Sequence, residues 1–330
     1  MQSNVLVLSV WQFMYKLCLI LFISFILTGC IEADCVPDFG VTQQAIHKGI
    51  PAEDDIYSGV VSLAIRTDRD ISNYCSGTLI APNIVLTAAH CVSDTEEIPM
   101  NKLFNDGRIV VVVGSDVSDS IIYTATRLSV HPKFNFEFFE HDLAILWLEH
   151  EVPTEYATPI PILENSEVIL SHKSNHERFE TVGYGIDDDD VDGVRLRTEG
   201  VIYDYCYIGE KFCTVDAYSI SIPEGALLQN LEKGGPCIGD SGGPLLVDID
   251  GQKHVMAVIS YGDANCERYS VSTTIPDHFS WINRQIDLED SDGDDCSANP
   301  ISTPISIKLI PFFILLIFLY CLRRRKNIAL

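Results

Sequence analysis

Three side chains in this sequence have the types and the order needed to make a serine attack a carbonyl carbon. Ser241 lies between an aspartate and two glycines in CIGDSGGPL. Its hydroxyl needs a base to take the proton, and its attack creates an oxyanion that backbone N–H groups must stabilise. His90, at the end of the apolar run in LTAAHC, is the candidate base. Asp142 in HDLAIL begins a strand pattern, where a buried acid would hold the imidazole tautomer.

Short strands are predicted around these residues. Runs rich in Val, Ile, Leu and Tyr alternate with Gly, Asn and Asp, and no long segment has a helical period, which predicts an all-β fold. The clearest runs are 60–65, 109–113, 143–148, 245–247 and 255–260. Asp250-Gly251, between the last two runs, predicts a hairpin turn. One helix is predicted near the end, where Phe279, Ile282 and Ile286 fall on one face.

Composition limits the compartment and the class of partner. The 330 residues carry a net charge of −25 and are 47% hydrophobic, which is enough for a core of about 200 to 250 residues. Nucleic acid is excluded as the main partner, because phosphate contacts need clustered Lys and Arg. Eleven cysteines, several at spacings that suit bridges, indicate an oxidising compartment.

Residues 1–30 have the organisation of an export signal. From Met14, the sequence MYKLCLILFISFILTGC has a short basic start, an apolar run at 17–27 and small residues before Cys30. LTGC resembles the lipobox of bacterial lipoproteins, which implies a lipoprotein-type signal peptide and lipidation of Cys30. A plain secretory signal and an uncleaved anchor are the alternatives. Residues 31–45 are interpreted as a propeptide-like segment.

The C-terminal end carries a second apolar segment. An acidic polar linker at 287–304 precedes the apolar run 309–322, and RRRK follows as a cytoplasmic stop. The run contains Pro311 and is shorter than the roughly 20 residues that a bilayer core requires. The tail at 305–330 is therefore interpreted as a bacterial sorting signal or a membrane anchor. Both ends predict an exported protein, membrane-associated in the cell envelope or secreted, with a bacterial source.

The segments around His90, Asp142 and Ser241 together resemble those of the trypsin-like serine peptidases of the chymotrypsin fold. The resemblance covers 46–286. It implies two six-stranded antiparallel β-barrels, at about 46–155 and 156–286, with the helix at the end. It also implies a serine endopeptidase that hydrolyses a protein or peptide through an acyl-enzyme intermediate, without a cofactor. The three residues would be its catalytic triad.

The same resemblance implies roles for residues near the nucleophile. The backbone N–H groups of Gly239 and Ser241 would form the oxyanion hole. In SYGDANC, Ser260 would hydrogen-bond the catalytic aspartate, and Tyr261 and Gly262 would pair with the substrate main chain. The implied disulfides are Cys75–Cys91, Cys237–Cys266 and, as a local pair at shifted spacing, Cys206–Cys213.

The implied specificity pocket has no charge at its base. That position lies six residues before the nucleophile and is Gly235, whereas a preference for Arg or Lys would need a carboxylate there. Gly262 and Ser270 would form the walls of an open, uncharged slot. Such a slot suits an apolar or small side chain.

Activation is the point at which the chain departs from the family. The family begins its mature chain with an isoleucine, a small apolar residue and two glycines, and the nearest stretch here is IHKG at 46–49. Cleavage before Ile46 would need a processing protease that accepts Ala45, and it would free an amino group for Asp240. Without that cleavage the alternative function is a non-catalytic binding module of the same fold at the cell surface.

Two further patterns are interpreted as structural. An acidic loop matches the calcium-binding pattern D-x-D-x-D-G-x5-E at Asp188, Asp190, Asp192, Gly193 and Glu199. No helices flank this loop, so a solvated acidic turn is favoured, and calcium binding by Asp188, Asp190, Asp192 and Glu199 is the weaker alternative. His131 is interpreted as a histidine of the strand or loop surface, and His141 as similarly uninvolved in catalysis.

Overall fold

The computed structural model describes residues 46, 49–53, 55–95, 98–185, 193–231 and 234–292. The predicted signal peptide with Cys30, the propeptide-like segment, most of the acidic linker and the C-terminal tail lie outside these residues, as do Asp188, Asp190 and Asp192. None of the helices in these ranges has the length and apolar content needed to span a bilayer.

Antiparallel strands are the main secondary structure of the described chain. They are β1 (Ile50–Pro51), β2 (Val60–Arg66), β3 (Ile71–Ala81), β4 (Ile84–Thr87), β5 (Ile109–Val113), β6 (Ile121–Val130), β7 (Ala144–Leu148), β8 (Arg178–Gly183), β9 (Leu196–Cys206), β10 (Phe212–Val215), β11 (Ile220–Pro223), β12 (Ala226–Asn230), β13 (Pro244–Ile249), β14 (Gln252–Gly262) and β15 (Tyr269–Thr274). β10 and β11 form a separate two-stranded sheet.

Twelve of these strands close into two six-stranded barrels, which confirms the predicted architecture. The first barrel has the order β2-β3-β4-β7-β6-β5. The second has the order β9-β12-β15-β14-β13-β8 and closes because β8 also pairs with β9. Strands β5 and β7 are buried along their whole length, because their runs of Val, Ile and Leu are apolar on both faces. β1 adds to the outside of β9, with Ile50 opposite Arg197.

Three α-helices lie in the described ranges: α1 (Met100–Asn105), α2 (Glu167–Asn175) and α3 (Phe279–Asp292). Only α3 was predicted, and its Trp281 and Ile282 are buried while Ile286 packs against the largest hydrophobic cluster. α2 escaped prediction because only Ile169 and His172 of its nine residues are buried. An apolar stripe that narrow has no clear helical period.

One hydrophobic cluster joins the two barrels. Val85 and Leu86 of the first barrel belong to it together with Val182, Leu246 and Val258 of the second. The predicted turn at Asp250-Gly251 connects β13 to β14, and both residues have the positive φ angles, 53° and 85°, that a tight hairpin requires. The barrels thus share a packed junction, and the candidate site is built there.

Candidate active site

His90 and Asp142 are neighbours because the strands that carry them are paired. His90 lies in the 3₁₀ turn Ala89–Cys91 directly after β4, and Asp142 lies just before β7. In the antiparallel β4–β7 pair, Thr87 is opposite Ala144, so the end of β4 is beside the start of β7. The pairing brings together two residues that are 52 positions apart in the sequence.

The Asp142 carboxylate is fully buried and accepts three hydrogen bonds. His90 Nδ1 lies 2.7 Å from Oδ2, and the His90 backbone N–H donates to Oδ1 over 2.8 Å. The Ser260 hydroxyl donates to Oδ2 over 2.5 Å. Because the carboxylate can only accept, the His90 proton is held on Nδ1. His90 Nε2 is therefore the nitrogen left to act as a base.

Ser241 contacts residues that also contact His90 and Asp142. Its Oγ donates to the Ser260 carbonyl over 3.5 Å, and within the described residues it makes no hydrogen bond to His90. The sulfur of Cys91 lies 3.7 Å from His90 Nε2 and 3.6 Å from the Ser241 carbonyl oxygen. The structure therefore links His90 directly to Asp142, and it places Ser241 against Ser260 and the Cys75–Cys91 disulfide that border the pair.

The turn that carries Ser241 requires two glycines in the left-handed region. Gly239 has φ 91° and Gly242 has φ 84°. A Cβ on Gly242 would lie 2.3 Å from the Ser76 carbonyl oxygen, and one on Gly239 would lie 2.8 Å from Gly185 Cα. No acceptor in the described part of the chain takes a hydrogen bond from the N–H groups of Gly239 and Ser241. Both N–H groups therefore remain available as donors, which is one requirement of the predicted oxyanion hole.

Asp240 is fully buried beneath this turn, and no cation among the described residues contacts it. Its carboxylate accepts N–H bonds from Gly185 and Cys237, each over 2.9 Å. Burial raises the pKa of Asp240 to about 7, against the lowering effect of these two bonds. Ile46 is also buried, and its carbonyl accepts the Gly49 N–H over 2.8 Å. No hydrogen bond or ion pair joins Ile46 to Asp240 in the parts described.

The predicted pocket residues lie on neighbouring strands. Gly262 on β14 is directly opposite Ser270 on β15, and Ser270 is in turn opposite Gln229 on β12. A Cβ on Gly235 would lie 2.1 Å from Leu231 Cδ2 and 3.2 Å from Gln229 Nε2, so both side chains lie against the predicted base. Gln229 Oε1 and Ser270 Oγ are buried, and neither has a hydrogen-bond partner among the described residues. The interior here contains neutral polar groups that the sequence did not reveal.

Aromatic side chains form an open cavity beside the imidazole, lined in part by Phe138, Phe139, Phe212 and Tyr261. Phe139 contacts His90 edge-on with ring centroids 5.6 Å apart, and it lies 5.2 Å from the ring of Tyr261. Phe138 and Phe212 are 47% and 37% exposed, which leaves the cavity accessible. The FEFFE run at 136–140 was the only signal for this surface in the sequence.

Three disulfides are present in the described chain: Cys75–Cys91, Cys206–Cys213 and Cys237–Cys266. The first lies beside His90, and the third ties the turn before Ser241 to the loop after β14. Three bridges of this kind fit a protein that folds in an oxidising compartment.

Other predicted features have different surroundings from those expected. Glu199, the one carboxylate of the calcium pattern that is described, forms an ion pair with Arg178 on the adjacent strand β8. The interpretation of His131 as a surface histidine is wrong, because it is 9% exposed, and His141 is similarly buried. Both rings are covered by residues that follow β15, which are far away in the sequence.

Known proteins similar to this chain were found by sequence. The family model described as Trypsin matches residues 47–282. The vitellin-degrading protease of Bombyx mori is 30% identical over 218 residues, which cover 64% of this chain and 76% of that protein. Chymotrypsin-C of Bos taurus is 26% identical over 249 residues, covering 69% and 84%. The chymotrypsin-like elastase family member 1 of Rattus norvegicus is 26% identical over 265 residues, covering 76% and 92%.

Proposed function

Because the chain belongs to the trypsin family, we propose that it is a serine endopeptidase with Ser241 as nucleophile, His90 as general base and Asp142 as the residue that orients the base. The observation that carries this proposal is the hydrogen bonding of Asp142. A buried carboxylate that accepts from both the Nδ1 and the backbone N–H of His90 leaves the lone pair of the neutral imidazole on Nε2 and holds the ring in one place. That is the requirement for removing a proton from a neighbouring alcohol.

The reaction proceeds in two halves. His90 Nε2 takes the Ser241 proton as Oγ attacks the peptide carbonyl, and the tetrahedral oxyanion is stabilised by the N–H groups of Gly239 and Ser241. The imidazolium then gives its proton to the leaving amine, which leaves an acyl group on Oγ for water to hydrolyse. Ser241 Oγ now contacts the Ser260 carbonyl. A rotation about its Cα–Cβ bond is the motion that would turn it to His90.

The substrate is a protein or peptide with an uncharged side chain before the cleaved bond. Gly235 offers no carboxylate at the pocket base, and Gln229 and Ser270 supply only neutral groups. Tyr261 and Gly262 end strand β14, where an extended substrate would add its own backbone. The aromatic cavity beside His90 favours apolar side chains further toward the substrate N-terminus.

The three disulfides favour an exported protein, because disulfides persist in oxidising compartments. Attachment to a bacterial envelope membrane through lipid on Cys30 or through the tail at 305–330 is part of the same proposal. Its support is the sequence of the two ends alone.

Replacement of the nucleophile tests the proposed function. Ser241→Ala should lower the turnover of a peptide substrate by roughly 10⁴-fold or more and abolish labelling by a fluorophosphonate. Ser171→Ala is the matched control, because Ser171 is an exposed serine on α2 that contacts Asn175. Circular dichroism and the unfolding midpoint should be unchanged in both variants. Peptide hydrolysis that persists in a correctly folded Ser241→Ala variant would refute the proposal.

A second candidate, the non-catalytic binding module, applies to a chain that is not cleaved before Ile46. In the uncleaved chain the described residues supply the buried Asp240 carboxylate with no cation. N-terminal sequencing of the mature protein, combined with fluorophosphonate labelling, separates the two candidates. A chain that begins at Ile46 and is labelled supports the peptidase, whereas an uncleaved and unlabelled mature chain supports the binding module.

A further inference from the structure

Three buried histidines meet outside the candidate active site. His131 follows β6, His141 directly precedes Asp142, and His278 ends the 3₁₀ turn Pro276–His278 before α3. They are 9%, 8% and 4% exposed, and one ring nitrogen from each lies within 4.8 Å of the other two. Nothing in the proposed peptidase mechanism uses these rings.

Two of the rings are already oriented by groups on their outer side. His278 Nδ1 lies 2.8 Å from the Thr274 carbonyl, which can only accept, so Nδ1 carries the proton and Nε2 has a free lone pair. His141 Nε2 lies 3.5 Å from a carboxylate oxygen of Glu224. A carbonyl or a carboxylate on the far nitrogen is the usual second partner of a metal-bound histidine.

The two inner nitrogens have a separation that suits a shared ion. His141 Nδ1 lies 2.9 Å from His278 Nε2. Ligands of a tetrahedral zinc ion with Zn–N bonds of about 2.0 Å are about 3.3 Å apart, so a few tenths of an ångström of opening would admit the metal. His131 stacks on His141 with ring centroids 4.9 Å apart and brings the third nitrogen to the same place.

We propose that His131, His141 and His278 bind one divalent transition-metal ion, best matched by zinc, with water as the fourth ligand. Three nitrogen ligands exclude calcium and magnesium, which bind through oxygen. On binding, His141 loses its Nδ1 proton to solvent and takes one at Nε2, opposite Glu224, so the ring stays neutral. His131 gives up the hydrogen bond that its Nδ1 now accepts from the Lys133 N–H over 3.3 Å. The ion would join the loop that carries Asp142 to the start of α3, and this site is independent of the proposed peptidase activity.

Zinc binding to the full, chelator-treated protein is the test. Calorimetric titration with zinc chloride should show one ion per chain with micromolar or tighter affinity, and zinc should raise the unfolding temperature because it binds only the folded site. His278→Asn keeps an N–H donor toward Thr274 but removes Nε2, and it should weaken binding by at least about 10-fold. His131→Phe keeps the ring stack and should weaken binding similarly.

Two controls locate the ion. His254→Asn alters a solvent-accessible histidine whose Nδ1 also faces a backbone carbonyl, that of Gln252, and it should bind zinc as the parent does. His90→Ala should also retain binding, which separates this site from the candidate active site. The proposal is overturned if the parent protein binds no zinc, or if folded His278→Asn or His131→Phe binds as tightly as the parent. Loss of binding in His90→Ala alone would likewise overturn it.

Discussion

The buried Asp240, beneath the turn that carries Ser241, should make the folding stability depend on pH. We predict that Asp240→Asn gains stability relative to its parent as pH rises, in a chain left uncleaved before Ile46. The carboxyl is fully buried, and its pKa is raised from 3.8 to about 7. The folded protein therefore holds this proton more tightly than the unfolded chain does. Folding stability must fall as pH rises from about 4 to 7, and asparagine does not titrate.

The size of the effect follows from the pKa difference. A shift of one unit corresponds to about 1.36 kcal/mol, so a rise of about three units gives about 4 kcal/mol. Asparagine also disturbs the hydrogen bonds from Gly185 and Cys237. That cost does not depend on pH, so it cancels when the difference between variant and parent is compared at pH 4 and pH 8. The difference in free energy of unfolding should change by about 4 kcal/mol in favour of Asp240→Asn.

Urea unfolding measures this difference. Both proteins would carry Ser241→Ala to prevent self-digestion, and each would be unfolded at half-unit steps from pH 4 to pH 8. Asp250→Asn, at an exposed aspartate of the β13–β14 turn, is the control and should track its parent at every pH. A difference for Asp240→Asn that stays constant with pH would refute the reasoning. In chain cleaved before Ile46, a new ammonium beside Asp240 should abolish the trend.

Two further predictions concern the proposed chemistry. Ser260→Ala should lower kcat/KM by about 10-fold, because one charge-assisted hydrogen bond to the buried Asp142 carboxylate is lost, and the same loss should lower the unfolding temperature. Steady-state kinetics that match the parent would contradict a positioning role. Gly235→Asp combined with Leu231→Ala, which removes the methyl group 2.1 Å from the new Cβ, should produce cleavage after Arg in a peptide library, and an unchanged cleavage profile would show that Gly235 is not at the pocket base.

The strands were predictable because their pattern is local. Runs such as 109–113 are continuous Val and Ile, and they fit a barrel strand buried along its length. The turn at Asp250-Gly251 was also readable, since few residue pairs tolerate two positive φ angles. Barrel closure was not visible in periodicity, because it depends on pairing between distant strands such as β8 and β9. The closed barrels were predicted from the resemblance to the trypsin-like serine peptidases.

In the candidate site too, residues in local motifs were predictable and residues placed by tertiary contacts were not. His90, Asp142 and Ser241 stand in short motifs, and their types and order were sufficient to select them. Gln229 and Phe139 were missed because neither has a motif. Their surroundings depend on which strand lies opposite and which loop folds over the imidazole. The burial of His131 was missed for the same reason, since its cover comes from Trp281 and His278 near the end of the domain.

Each end of the folded region packs on the barrel to which it does not belong in the sequence. β1, at the start, pairs with β9 of the second barrel, whereas Trp281 of α3, at the end, packs on His131 of the first. During synthesis the surface of the first barrel around His131 therefore stays uncovered until α3 has left the ribosome. We expect that a fragment truncated between the barrels would expose apolar surface and be captured by chaperones rather than persist as an independent half.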